Sequence, residues 1–374
     1  MVLRSIFFLI LGPGLLGLIL FLACTQGGFA PAPNLEFVYS TEANTGGVVY
    51  AYSVNISTGA LTALPGAPFT AGTNGRGVVI DPAFRYLFAL STPVGLYQSS
   101  LNSVSGIISP VSGSPFSMSS GPYGIAIHPT QKFVYANDGG ASPGIYGFNY
   151  VTGISVATPG SPYATTGSGQ IILTASGNYL YSDTSGGLYE FSVNSSTGAL
   201  TPIAGSPLGV TSCGDEMAID PAGHFLYCAE SNLAFLNVFS INQSTGVLTA
   251  IPGSPFATGG NQSKGVTIDP TGRFLYVVDN TAGVVAFTLN SSTGVPTIMA
   301  GSPFALCTSG FTVTIEGTGQ FIYVAVNNPG VGGIAGALIN PSTGVLTSLP
   351  GSLFTTSGNS TAFITSVTIP QPHL

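Results

Sequence analysis

Short apolar runs separated by polar turns make up the chain, and the order of runs and turns recurs. Val78-Val79-Ile80 is followed by Asp81-Pro82 and then by Tyr86-Leu87-Phe88-Ala89; residues 265–268 lead through Asp269-Pro270 into Phe274-Leu275-Tyr276-Val277. Two such runs joined by Asp-Pro-x-Gly predict a β-hairpin. Pro presets φ at the second turn position, Asp bonds back to the turn backbone, and Gly accepts φ > 0. A third run (Val284 to Leu289), an Asn-x-Ser-Thr-Gly turn and a fourth run (Val295 to Met299) complete the unit. Each unit is therefore expected to be four antiparallel strands, A to D in chain order.

A Gly-Ser-Pro-Phe phrase spaces the units. Its glycines, in exact or degenerate copies, are Gly66, Gly113, Gly160, Gly205, Gly253, Gly301 and Gly351, separated by 47, 47, 45, 48, 48 and 50 residues. Asn-x-Ser-Thr-Gly keeps step at Asn55, Asn194, Asn242, Asn290 and Asn340, with degenerate copies ending at Gly106 and Gly153. Four strands in roughly 40 to 50 residues, repeated seven times, predict an all-β fold: a seven-bladed β-propeller with strand A innermost. The first run, Glu36 to Ser40, resembles strand B, and the last, Phe363 to Ile369, resembles a strand A with no B after it. The last blade is thus expected to combine N-terminal strands B–D with the C-terminal strand A, which removes the open edges of a linear array. The aromatic of each Gly-Ser-Pro-Phe is expected to plug the space between blades.

Composition narrows the functional classes. Charged residues are 5% of the chain, against roughly 25% in average soluble proteins. A net charge of −7 with six Lys and Arg leaves no footprint for nucleic acid and no polybasic patch for anionic lipid. Residues 1–24 stand apart. Arg4, the apolar stretch Ile6 to Leu22 and Ala23-Cys24 predict a signal peptide ending in a lipoprotein cysteine, with Cys24 acylated; an uncleaved membrane anchor and ordinary secretion are the alternatives. Residues 25–34 are then a tether, 35–370 the propeller and 371–374 a tail. The expected location is outside the cytoplasm, anchored in the outer membrane, on the cell surface or in the periplasm, with the membrane engaged only through the anchor. Of the remaining cysteines, Cys213 and Cys228 flank one predicted hairpin and are the candidate pair; burial as small hydrophobes, together with Cys307, is the alternative.

The end of strand B and the start of strand A share one face. Glu42, Asp138, Glu230 and Asp279 stand there, three residues after the strand-B aromatic, with Asp183 one residue earlier in its blade; Arg76, Asp215, Glu216 and Lys264 precede strand A. A ring of acids at a propeller mouth suits a cation or a polar ligand. The plainer explanation is that these acids cap the B–C turns. No cofactor is expected beyond such a cation. His128, His224 and His373 are the only histidines. None accompanies a nucleophile elbow, and no phosphate loop or dinucleotide fingerprint is present.

The combination of Ile-Asp-Pro-x-Gly-x-Phe-Leu-Tyr-Val at 268–277 with Asn-x-Ser-Thr-Gly-x-Leu-Thr resembles the seven-bladed propeller lactonase family. That family includes propeller-type 6-phosphogluconolactonases and surface-layer proteins with YVTN repeats. The resemblance spans residues 35–370. It implies functional residues in a Gly-Pro-Arg-His segment, a His-Pro turn and an Asn-Glu after strand B. This chain reads Gly121-Pro122-Tyr123-Gly124, His128-Pro129 and Asn137-Asp138, so Tyr123 and Gly124 replace the Arg and His that would hold an anionic sugar lactone. The expected function is an exported binding or structural module without catalysis, assembling with other envelope components or with copies of itself. The alternative implied by the resemblance is a lactone hydrolase in which Arg76 or Lys264 supplies the missing cation.

Overall fold

The computed structural model describes residues 35–369 apart from 43–46, 73, 210–212, 214–215, 231–232, 329–331 and 357–360. The signal segment, the tether with Cys24, the tail and Asp215 lie outside the described residues. Among those described, the regular structure is entirely strand. Blade 1 runs Gly75–Ile80 (A), Tyr86–Ser91 (B), Gly95–Leu101 (C) and Ile108–Pro110 (D); blades 2 to 6 repeat this meander along the chain. Blade 7 takes strand A, Thr361–Ile369, from the C-terminal end and B to D, Leu35–Glu42, Val48–Val54 and Leu61–Ala63, from the N-terminal end. The closing ladder is antiparallel, pairing Leu35 with Ile369 and Thr41 with Phe363, as the terminal runs predict.

The B strands read as continuous apolar runs because neighbouring blades cover both of their faces. Phe133–Asp138, Phe274–Asp279 and Phe321–Val326 are buried at every position. Six of the seven blades are latched to the next by a tyrosine of the B strand. Tyr39, Tyr135, Tyr181, Tyr227, Tyr276 and Tyr323 donate their hydroxyls to the carbonyls of Gly106, Gly198, Gly246, Gly294, Gly344 and Gly59. The acceptor is always the last residue of the next blade's Asn-x-Ser-Thr-Gly turn. Blade 1 has Phe88 at the tyrosine position. There the Gln98 amide of strand C replaces the hydroxyl, donating to Gly153 O at 3.0 Å and accepting from Ser155. A satisfied bond of this kind contributes about 0.5–1.5 kcal/mol, and an orphaned buried partner costs more.

The repeated phrases have equally local causes. In Gly-Ser-Pro-Phe the serine hydroxyl accepts a backbone N–H from strand C, as in Ser114 with Gln98 and Ser302 with Ala286. The aromatic turns back to pair with strand C and packs at a blade boundary: Phe116 of blade 1 lies 6.4 Å from Phe148 of blade 2. In the A–B hairpins the acid accepts turn amides; Asp269 Oδ1 takes Arg273 N at 2.8 Å and Phe274 N at 2.6 Å. Cys213 and Cys228 form a disulfide across the inner hairpin of blade 4, while Cys307 is a free thiol.

Candidate functional site

The inner strands surround a channel, and a β-bulge near the start of several of them decides which side chains enter it. In blade 5 Ser263 opposes Asp279 but Val266 opposes Val277, so Lys264 and Gly265 share one partner position. Blades 1, 2 and 6 carry the same offset. The strand-B latch positions fix the alignment: Phe88, Tyr135, Tyr181, Tyr227, Tyr276, Tyr323 and Tyr39 pair with Val79, Ala126, Ile172, Ala218, Thr267, Thr314 and Thr365. Three residues back from those partners, the described residues of the rim row are Arg76, Tyr123, Gly169, Lys264, Phe311 and Ala362. Two back, it gives an inner row of Gly77, Gly124, Gln170, Glu216, Gly265, Thr312 and Phe363.

Side chains from the two rows build an aromatic floor at the mouth. Phe363, buried, meets Tyr123 edge-on at 5.7 Å and Phe311 edge-on at 5.5 Å between ring centres. The Arg76 guanidinium lies 5.7 Å from the centre of the Tyr123 ring, and Lys264 Nζ lies 6.0 Å from that of Phe311. Three rings from blades 2, 6 and 7 are thus flanked by two cations, both within cation–π range.

The inner row is crowded. A Cβ on Gly124 would stand 2.4 Å from Gly169 O and 2.7 Å from Gln170 Cα, so the backbones of blades 2 and 3 leave no room for a side chain there. Glu216 crosses between blades: its Oε2 accepts Val266 N at 3.0 Å and Val313 N at 3.4 Å, on the inner edges of blades 5 and 6. Gln170, Glu216 and Phe363 line a channel cavity of roughly 190 Å³ together with Gly77, Ile125 and Thr365.

The acids at the ends of the B strands are engaged by the backbone around them. Asp279, fully buried, accepts Thr281 N, the Thr281 hydroxyl and Ala282 N on one oxygen and Asn261 N and Gln262 N on the other. Burial alone raises its pKa, but the hydrogen bonds together outweigh it and hold the carboxyl below its ordinary value. Asp138 Oδ1 accepts from the Ser119 hydroxyl, Gly121 N and Gly140 N at 2.7 to 3.0 Å. Asp183 Oδ1 accepts Cys213 N at 3.0 Å. Glu42 closes strand B of blade 7 opposite Thr361, and Glu230 is buried just past strand B of blade 4. Burial pushes the Glu230 carboxyl above its ordinary range. Among the described residues, no three His, Cys, Asp or Glu side chains gather closely enough to hold a metal ion.

On the opposite face, Asp81 and Arg85 pair at 2.7 Å within their hairpin. His128 is buried between blades 2 and 3, with Nε2 2.9 Å from Gly177 O and Nδ1 accepting Thr130 N at 3.2 Å. Burial lowers its pKa, which keeps the imidazole neutral. Of the residues singled out from sequence, Arg76, Glu216 and Lys264 reach the channel mouth, while Glu42, Asp138, Asp183, Glu230 and Asp279 sit at the ends of the B strands around it. Tyr123, Phe311, Phe363 and Gln170 were not singled out as site residues. For Gln170 and Phe363 the signal is a large side chain in a row where blades 1, 2 and 5 carry Gly; Tyr123 and Phe311 share their row with Arg76 and Lys264.

Comparison with known proteins places this geometry. The family model described as lactonase, 7-bladed beta-propeller, matches residues 116–259. No curated protein matches the chain. A provisionally named 6-phosphogluconolactonase from Bacteroides fragilis superposes with a TM-score of 0.73 at 16% identity, covering 90% of this chain and 100% of that one. The periplasmic gluconolactonase of Pseudomonas aeruginosa gives 0.68 at 14% identity, covering 90% and 99%. A hypothetical selenium-binding protein from Sulfolobus tokodaii gives 0.61 at 12% identity, covering 90% and 94%. The chain is a seven-bladed propeller that resembles the lactonase family, and at these identities the structural likeness speaks for the fold.

Proposed function

We propose that this chain is an exported envelope or cell-surface module whose channel mouth binds a neutral carbohydrate, either a glycan end or an unphosphorylated sugar lactone. The observation that carries this reading is the floor of Tyr123, Phe363 and Phe311 with Arg76 and Lys264 beside it. Such a floor offers apolar area to the face of a sugar ring and leaves polar groups around it for the hydroxyls. Two cations stand against six carboxylates on this face among the described residues (Glu42, Asp138, Asp183, Glu216, Glu230, Asp279). A field of that sign disfavours phosphorylated or carboxylated sugars.

Hydrolysis by the family's residues is disfavoured on steric grounds. The positions of its Arg and His are Tyr123 and Gly124, and a side chain at 124 would meet the Gly169 carbonyl. Lactone hydrolysis is the second reading, favoured by Glu230 at the end of strand B, whose carboxyl pKa is shifted upward by burial, the direction a general acid–base group requires.

Calorimetric titration with methyl glucoside and glucono-δ-lactone tests the first reading. Binding is expected, weakened about tenfold or more by Tyr123→Ala or Phe311→Ala, without lactone turnover above the buffer rate. Turnover of a sugar lactone that disappears in Glu230→Gln would replace the binding module with a hydrolase. Intact mass of the native protein tests the anchor: a chain beginning at acylated Cys24 is expected, and an intact Met1 rules lipidation out.

A further inference from the structure

We infer that Gln170 forms a buried specificity subsite in the channel, taking a neutral hydroxyl or carbonyl oxygen of the ligand that rests on the aromatic floor. The inference rests on the carbohydrate-binding reading above and adds to it the residue that selects among neutral ligands. Gln170 Nε2 is buried and has no hydrogen-bond partner within the protein. Buried side-chain donors are paired in the large majority of cases, and one left without a protein partner at a cavity wall points to something that fills the cavity. The cavity is roughly 190 Å³, space for about six waters or for part of a sugar ring. Its other walls mix the apolar side chains Ile125, Ile171, Met217 and Phe363 with the polar Glu216 and Thr365. An occupant there is met by the Gln170 amide donor and by the Glu216 carboxylate.

Glu216 defines the charge of that occupant. Its carboxylate lines the same cavity and is held there by Val266 N and Val313 N. A carboxylate on one wall disfavours an anion beside it, which leaves a neutral oxygen as the acceptor for Gln170. The inner row also explains why blade 3 supplies this group. Gly77, Gly124 and Gly265 occupy the equivalent positions of blades 1, 2 and 5, and a Cβ at each would come within 3.0 Å of a neighbouring atom. In the lactonases that this chain resembles, the equivalent of Gly124 is the functional His. Here the amide donor comes from the inner row of the next blade, at Gln170.

The test uses the full chain and four proteins: the parent, Gln170→Leu, Gln170→Glu and Phe311→Ala, titrated with methyl glucoside and glucono-δ-lactone and melted in parallel. Gln170→Leu removes the donor at similar volume and is expected to weaken binding about tenfold. Gln170→Glu keeps the shape, exchanges the donor for an acceptor and is expected to bind no better. Phe311→Ala weakens binding through the floor alone. Unchanged affinity in Gln170→Leu beside a loss in Phe311→Ala overturns the subsite while the carbohydrate reading stands. A higher Tm in Gln170→Leu at unchanged affinity has the same meaning, because the amide would then be a solvated structural defect. Absence of binding by the parent overturns both.

Discussion

Two buried polar residues on strand C show how one position serves opposite ends. Gln98 and Glu190 each stand three residues after the glycine that opens strand C, Gly95 and Gly187. Gln98 is fully satisfied and replaces a missing tyrosine hydroxyl. Glu190 is 1% exposed, and its Oε1 accepts Leu248 N at 2.7 Å. Burial raises its pKa, and that amide only partly compensates. A carboxyl with a folded pKa above its unfolded value binds more protons in the native state, so stability falls as pH rises between the two values. Glu190→Gln keeps an acceptor for Leu248 N and removes the charge. It is expected to melt with the parent near pH 4 and to gain about 1 kcal/mol, roughly 2 °C in Tm, at pH 7 to 8. Equal melting temperatures across that range would show that the buried carboxylate carries no penalty. The sequence shows a lone acid in an apolar run; that the acid lies under the Leu248 amide follows only from the packing of blade 3 on blade 4.

At the scale of the strand, turns and strand order were legible because each rests on local chemistry. Asp-Pro turns, Asn-x-Ser-Thr-Gly turns and apolar runs announce themselves within a few residues. The composition of the mouth was less legible. A bulge such as that between Ser263 and Val266 resets which side chains face the channel, and nothing within Lys264-Gly265 announces it. The latch from each tyrosine to the next blade's turn glycine was also hidden, since the partners of Tyr39, Tyr135, Tyr181, Tyr227 and Tyr276 are 63 to 68 residues away in the chain. Close approach between strands A has its own test. Gly124 has no side chain because Gly169 O, Gln170 Cα and Ile171 N stand 2.4, 2.7 and 2.9 Å from where its Cβ would lie. Gly124→Ala must push two inner strands apart, and overpacking of this kind costs about 1–3 kcal/mol. Differential scanning calorimetry is expected to show the corresponding drop in Tm. A variant as stable as the parent means the inner strands have slack, and the steric objection to a lactonase-type His at 124 falls with it.

The whole molecule depends on one joint that the sequence specifies at both ends. Leu35–Glu42 runs antiparallel to Thr361–Ile369, and Phe363 and Ile364 bury their side chains in clusters on either side of blade 7. Phe363 does more than close the ring, because it is also the central ring of the aromatic floor. Fold closure and the proposed binding surface therefore share a residue, and the two roles can be separated. Deleting residues 361–374 exposes the inner edge of strand B in blade 7 and removes the last strand lining the channel. An unpaired apolar edge of this length invites aggregation, so loss of cooperative unfolding and of soluble monomer is expected. Phe363→Leu keeps the strand, its ladder and most of the buried volume while removing the ring that joins Tyr123 to Phe311. It is expected to stay folded, with a stability loss of about 1–2 kcal/mol, and to lose affinity for methyl glucoside. Circular dichroism melting and size-exclusion chromatography separate the outcomes. A truncated chain that melts like the parent shows that blade 7 does not hold the ring shut. A Phe363→Leu protein with undiminished affinity shows that closure is the only task this residue has.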